Sequence, residues 1–111
     1  MKESKSDVFE IKWPWTMIPL EFADEWIEYL KQNIRTGHPL HGKKVFPSCR
    51  REDTNETIIQ FDIDDDGTYA IVNFSKSTTI CGKKMPKTEI LKSRNELNLR
   101  FKKDHIKSLD Q

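Results

Sequence analysis

The chain has 111 residues, 35% of them hydrophobic and 33% charged, with a formal net charge of +1. That length allows one domain, residues 1–111, with one core, and excludes two. Six Phe, three Trp and two Tyr supply enough large apolar surface to offset ordering entropy, which excludes a disordered chain. No apolar stretch approaches the length of a membrane span.

Residues 1–6 read as a frayed polar end, and "MKESKSDVFE" has no apolar core of the kind a secretory signal needs. A cytoplasmic location is therefore expected, with Cys49 and Cys81 as reduced thiols. "VFEIKW" places Phe9, Ile11 and Trp13 on one face, the alternation of a short half-buried strand. Pro14 and Pro19 then bracket a loop.

"PLEFADEWIEYLKQNIRTG" predicts an amphipathic helix over about 19–36. Pro19 suits its first turn, and Glu21, Asp24 and Glu25 suit the positive end of its dipole. Phe22, Trp26, Leu30 and Ile34 recur every fourth residue, with Ala23 and Ile27 beside them, and Gly37 stops the helix.

"HPLHG" reads as a loop and "KKVFPSCRR" as an edge strand, because Pro47 cannot donate to a central ladder. "TIIQFDI" and "TYAIVNF" are two β-rich runs joined by Asp64-Asp65-Asp66-Gly67, a hairpin signal. The hairpin puts Ile59, Phe61 and Ile63 on one face and Ile58, Gln60 and Asp62 on the other. "STTICGKKMPKTEIL" adds one or two strands around Gly82 and Pro86. Ser93 and Glu96 have capping-box spacing and open a basic helix, with Leu97, Phe101 and Leu109 as its inner stripe and Ile106 beside it. The fold class is α+β: an antiparallel sheet of four to six strands with an N-terminal and a C-terminal helix packed on it.

Charge is unevenly spread. Between Glu52 and Asp66 stand seven acids (Glu52, Asp53, Glu56, Asp62, Asp64, Asp65, Asp66) and no Lys or Arg. From Lys76 to Lys107 there are ten basic residues against Glu89, Glu96 and Asp104. Such a dipolar chain can meet a partner with either pole.

The aspartates partly match an EF-hand loop: Asp62, Asp64 and Asp66 fill positions one, three and five, and Gly67 fills six. Position twelve demands a bidentate Glu, and Asn73 stands there. Two readings stay open, an Asp-rich turn and an acidic binding surface that extends back to Glu52. His38, His41, Cys49 and Cys81 lack the paired spacing of zinc ligands. His38 and His41 near Lys43, Lys44 and Arg50 would serve a metal-free ribonuclease. Arg100, Lys102, Lys103 and Lys107 would track a phosphate backbone. These last two features define the alternative, a small nucleic-acid-binding or nucleolytic domain.

The succession "WPWT", "GHPLHGKKV", "FDIDDDGTYAIVNFS", "PKTEIL" and a late "DH" runs from Trp13 to His105. It resembles a group of small, poorly characterised bacterial proteins with a WPWT-like start, a GHPL-x-G loop, a D-D-G-x-Y/V-A hairpin and a P-x-T-E segment. The hairpin of that group continues into a His-Leu-Thr-Trp-like strand, where "VNFSK" stands here. Small proteins of this kind are similar to the immunity proteins of bacterial toxin systems, including contact-dependent growth inhibition. The resemblance implies a non-enzymatic protein without cofactor or resident metal, which binds a cognate toxin domain, often a nuclease, and blocks its active site. It implies no membrane and no direct nucleic-acid partner. The seven acids are the expected contact residues, answering the cationic groups with which a nuclease holds phosphate.

Overall fold

The computed structural model describes residues 11–64 and 67–109. Its elements are β1 (Trp15–Met17), a single 3-10 turn (Leu20–Phe22), α1 (Ala23–Asn33), β2 (Val45–Arg51), β3 (Ile58–Ile63), β4 (Thr68–Ile80), β5 (Lys83–Leu91) and α2 (Arg94–Leu109). The five strands form one sheet in the order β1-β2-β3-β4-β5. Each is antiparallel to its neighbour. The expected α+β class and strand number are what the chain adopts.

The β3–β4 hairpin pairs Ile63 with Thr68 and Ile58 with Asn73. Because strand side chains alternate, Ile59, Phe61 and Ile63 turn to one face, where they pack with Leu30, Ile34, Leu40, Ala70, Val72 and Met85. Ile58 turns to the other face, where Trp15, Cys49, Ile71, Leu91, Leu97 and Phe101 form a second core. The two helices thus cover opposite faces, α1 the first and α2 the second.

Several expectations need correction. The strand expected over "VFEIKW" begins outside the described residues, as do residues 1–6. Ile11 and Lys12 belong to no strand, and Trp13 and Pro14 form a turn. The first described strand, β1, lies inside the stretch expected as a loop. There Trp15 inserts under α2 and stacks on Phe101, ring centroids 4.9 Å apart. β2 is an inner strand over Cys49–Arg51, where β1 pairs with it. Pro47 is accommodated beyond the end of β1, at an irregularity in register between Pro47 and Cys49; a missing N–H costs little there.

α1 is shorter than the expected 19–36. Ile34 is extended (φ −121°, ψ 157°), and the Arg35 N–H turns to Met85 Sδ at 3.4 Å. The chain therefore leaves the helix to run against β5. Phe22, in the 3-10 turn, is left exposed.

At α2 the capping box forms: the Glu96 N–H donates to Ser93 Oγ (3.1 Å), and Glu96 Oε1 accepts the Lys92 N–H (2.9 Å). Leu97 and Phe101 face inward as expected. Ile106 and Leu109 do not, standing 55% and 69% exposed. The next inward position is Asp104, whose Oδ2 accepts the Trp15 indole N–H at 2.9 Å. Arg51 (3.5 Å) and Arg100 (3.4 Å) flank the same oxygen.

Candidate functional site

The structure separates the expected acidic residues into two groups. Glu52, Asp53 and Glu56 belong to the β2–β3 connection, while Asp62 and Asp64 stand at the other end of β3. The ends of that six-residue strand are about 17 Å apart. Asp65 and Asp66 lie outside the described residues.

The first group is engaged in local contacts. Glu52 Oε2 accepts the Thr16 hydroxyl at 3.0 Å, and Asp53 pairs with Arg51 at 2.7 Å. Glu56 accepts the Asn73 amide (3.1 Å) and faces Lys76 at 3.5 Å. In the second group Asp64 is exposed. Asp62 borders a cleft of about 250 Å³ with Ser48, Tyr69, Arg94 and Leu97. Burial raises its carboxyl above the ordinary range, opposed by the Gln60 amide that donates to Oδ1 at 2.9 Å. The Asp62 face is covered by α2, and neighbouring Gln60 is fully buried. It is less open than the bare alternation of the strand suggested.

The hairpin geometry is not that of an EF-hand. Positions one and twelve, Asp62 and Asn73, sit at opposite ends of the ladder, opposite Tyr69 and Ile58. Among the described residues, no group of three or more His, Cys, Asp or Glu is placed to hold a metal ion. Cys49 is buried in the α2 core, where burial pushes its thiol up to about 11. Cys81 is exposed at the β4–β5 turn (φ 53°).

His38 does not sit free in the loop that the sequence predicts. It is buried, and its Nδ1 accepts the Leu40 N–H at 3.1 Å. Nε2 therefore carries the proton and donates to Thr88 Oγ1 at 2.8 Å. The Thr88 hydroxyl in turn donates to the Pro86 carbonyl (3.1 Å). Burial lowers the histidine's proton affinity, so the ring is a neutral clasp between the 34–42 segment and β5. His41 remains exposed. Arg100 is likewise engaged, pairing with Asp104 and Glu89, whereas Lys102, Lys103 and Lys107 are exposed.

Two surface features were not anticipated. One is a hollow of about 260 Å³ lined by Glu25, Trp26, Tyr29 and Thr57. Trp26 and Tyr29 meet edge to face at 5.9 Å, and Tyr29 lies 4.7 Å from the Phe74 ring. The Arg50 guanidinium already sits over Trp26, 5.6 Å from its centroid. Asp24, Glu25, Glu28 and Gln32 continue the acidic surface along α1. The sequence signal was Tyr29 three residues after Trp26, flanked by Glu25 and Glu28, a spacing that makes the two rings neighbours on one flank of the helix. The other feature is a groove of about 680 Å³ between α1 and residues 40–45, with Lys31, His41, Lys43 and Lys44 among its lining residues.

No family model matches the chain. No curated protein and no solved structure matches it either.

Proposed function

We propose that this protein is an immunity protein: it binds a cognate bacterial toxin domain, a nuclease by preference, and masks its basic active site. The observation that carries the reading is the pairing of an aromatic hollow with carboxylates. Glu25, Trp26, Tyr29 and Thr57 line one depression, and Glu56 immediately precedes Thr57 in the chain. Aromatic anchors beside charge follow the pattern of an interface hot spot. Carboxylates answer the cations of a phosphate-binding partner, and their long-range field speeds encounter.

In this reading Glu25, Glu28, Glu52, Asp53 and Glu56 form the main contact. Asp62 and Asp64 act from the other end of β3 as a second contact or as a steering charge, and Asp65 and Asp66, their neighbours in sequence, add to that charge. The protein acts in the cytoplasm of the toxin-producing cell and performs no chemistry of its own.

The test is co-purification with the product of the adjacent upstream gene, followed by binding kinetics. Glu25→Lys with Glu28→Lys is expected to weaken binding at least about 100-fold, through loss of attraction and added repulsion. Asn at Asp64, Asp65 and Asp66 is expected to slow association only. Absence of binding at micromolar concentration and low salt overturns the reading.

The alternative, a nucleic-acid-binding or nucleolytic domain, keeps Lys102, Lys103 and Lys107. It loses His38 and Arg100, which are held by contacts within the fold. Its signature is RNA or DNA binding that falls steeply with salt.

A further inference from the structure

We infer that Arg50 is an anchor for a carboxylate, and that the partner seated on the hollow of Trp26 and Tyr29 meets it with an Asp or Glu side chain. The inference rests on the reading of this flank as the partner's contact surface. It adds to that surface one charge of the opposite sign.

The Arg50 guanidinium lies over the Trp26 ring, 5.6 Å from its centroid. Its Nε is sealed from solvent without a hydrogen-bond acceptor. The two terminal nitrogens form no hydrogen bond or ion pair with any described residue, so they face solvent. Other arginines of the fold are answered: Arg51 pairs with Asp53, and Arg100 with Glu89. Arg50 has only the ring. Stacking fixes the plane of the guanidinium, and the terminal nitrogens then present an end-on fork that matches a carboxylate.

The ladder sets this fork beside the hollow. Arg50 is opposite Ile59 in the β2–β3 pairing. Thr57, in the lining of the hollow, precedes Ile59 by two residues. It and Arg50 are therefore diagonal neighbours on the α1 face, roughly 7–8 Å apart. The hollow, about 260 Å³, is smaller than the usual small-molecule site and suits a single side chain.

The acids nearby leave the role open. Glu56 is held by the Asn73 amide and faces Lys76, and Glu52 takes the Thr16 hydroxyl. Glu25 lines the hollow but is exposed, so water screens its repulsion of an incoming carboxylate. A partner carrying cations alone would meet Arg50 as a like charge. A carboxylate set among those cations removes the mismatch and fixes the register of the two surfaces.

Benzoate, benzylamine and benzyl alcohol place one ring beside an anion, a cation and a neutral group. Each is titrated into the isotope-labelled protein alone and followed at the Trp26 indole and Arg50 Nε–H signals. Saturable shifts at both are expected for benzoate, with affinity about five-fold above that of benzyl alcohol. Benzylamine is expected to bind most weakly. Arg50→Gln should bring benzoate down to the level of benzyl alcohol and leave the alcohol unchanged, which shows the hollow intact. Absence of saturable benzoate shifts overturns the inference, as does a benzoate preference that survives Arg50→Gln. Benzyl alcohol binding as tightly as benzoate overturns it, since the hollow would be apolar only. Benzylamine binding tightest overturns it too, since Glu25 would then set the charge preference. In the complex, Arg50→Gln should weaken binding about ten-fold, and a partner indifferent to it refutes the contact. The probe titrations need no toxin, so their failure is distinct from a failure of the immunity reading, which co-purification tests.

Discussion

Replacing Asp104 by Ala tests how α2 is held to the sheet. The carboxylate is buried, accepts the Trp15 indole N–H at 2.9 Å, and lies 3.4–3.5 Å from nitrogens of Arg100 and Arg51. Removing it strands a buried indole donor, which costs about 2 kcal/mol. The two arginines are partly exposed, with side-chain accessibilities of 27% and 21%, so solvent replaces much of their attraction and each loss is about 0.5 kcal/mol. The total is about 3 kcal/mol. Asp104→Asn keeps an oxygen for the indole and loses only the charge, for about 1 kcal/mol. In a domain of this size the melting temperature falls about 4 °C per kcal/mol, so drops of about 12 °C and about 4 °C are expected. Thermal and urea denaturation at neutral pH measure both variants, and Trp15→Phe closes a double-mutant cycle with an expected coupling of about 1–2 kcal/mol. Equal losses for Ala and Asn, or a cycle coupling near zero, would refute the claim that the indole bond is the main term.

Stability should decline as pH falls below the unfolded histidine value of about 6.5. His38 folds in the neutral form with a lowered pKa, so its contribution is complete above that pH and is lost as pH falls through the folded value. A pH series of urea midpoints should show this slope reduced in His38→Gln. Millimolar calcium should move the melting temperature by less than about 1 °C, because Asp62 and Asn73 are at opposite ends of the hairpin ladder; a rise of many degrees would contradict that geometry. A thiol reagent should add once to the native protein, at exposed Cys81, and reach buried Cys49 only on unfolding, as intact mass would report. Gly37→Ala should cost at least about 2 kcal/mol in denaturant titration, because φ there is 103° and a Cβ would lie 2.8 Å from Cys81 Sγ.

What the sequence disclosed depended on how local the cause was. The β3–β4 hairpin was legible because alternation and an Asp/Gly turn act within a few residues. The cap of α2 was legible for the same reason: Ser93 and Glu96 meet across one helical turn. The inner stripe of α2 failed at Asp104, since only Trp15, 89 residues away, explains a carboxylate in a core. β1 was hidden because Trp15 and Met17 are enclosed in prolines, and its pairing with β2 is a tertiary event. His38 read as a loop histidine because its partners, Thr88 and the Pro86 carbonyl, come from β5. For the candidate site, the acids were legible as charge and not as position. The described acids among the seven fall into two groups because a six-residue strand runs between them, while Glu25, which lines the hollow, was read only as a partner of the helix dipole.

Among the described residues the meander leaves β5 as the last strand on its side of the sheet, and a last strand is a template onto which a second chain can add unless something opposes it. Here that strand reads "KKMPKTEIL". Lys83, Lys84 and Lys87 are all exposed, so two copies approaching edge to edge bring like charges together along the row of hydrogen-bonding groups. Pro86, buried in the same strand, has no N–H to offer an added chain. Like charges and a missing donor oppose pairing between two such edges, an effect that bears on solubility at high concentration rather than on the free energy of folding.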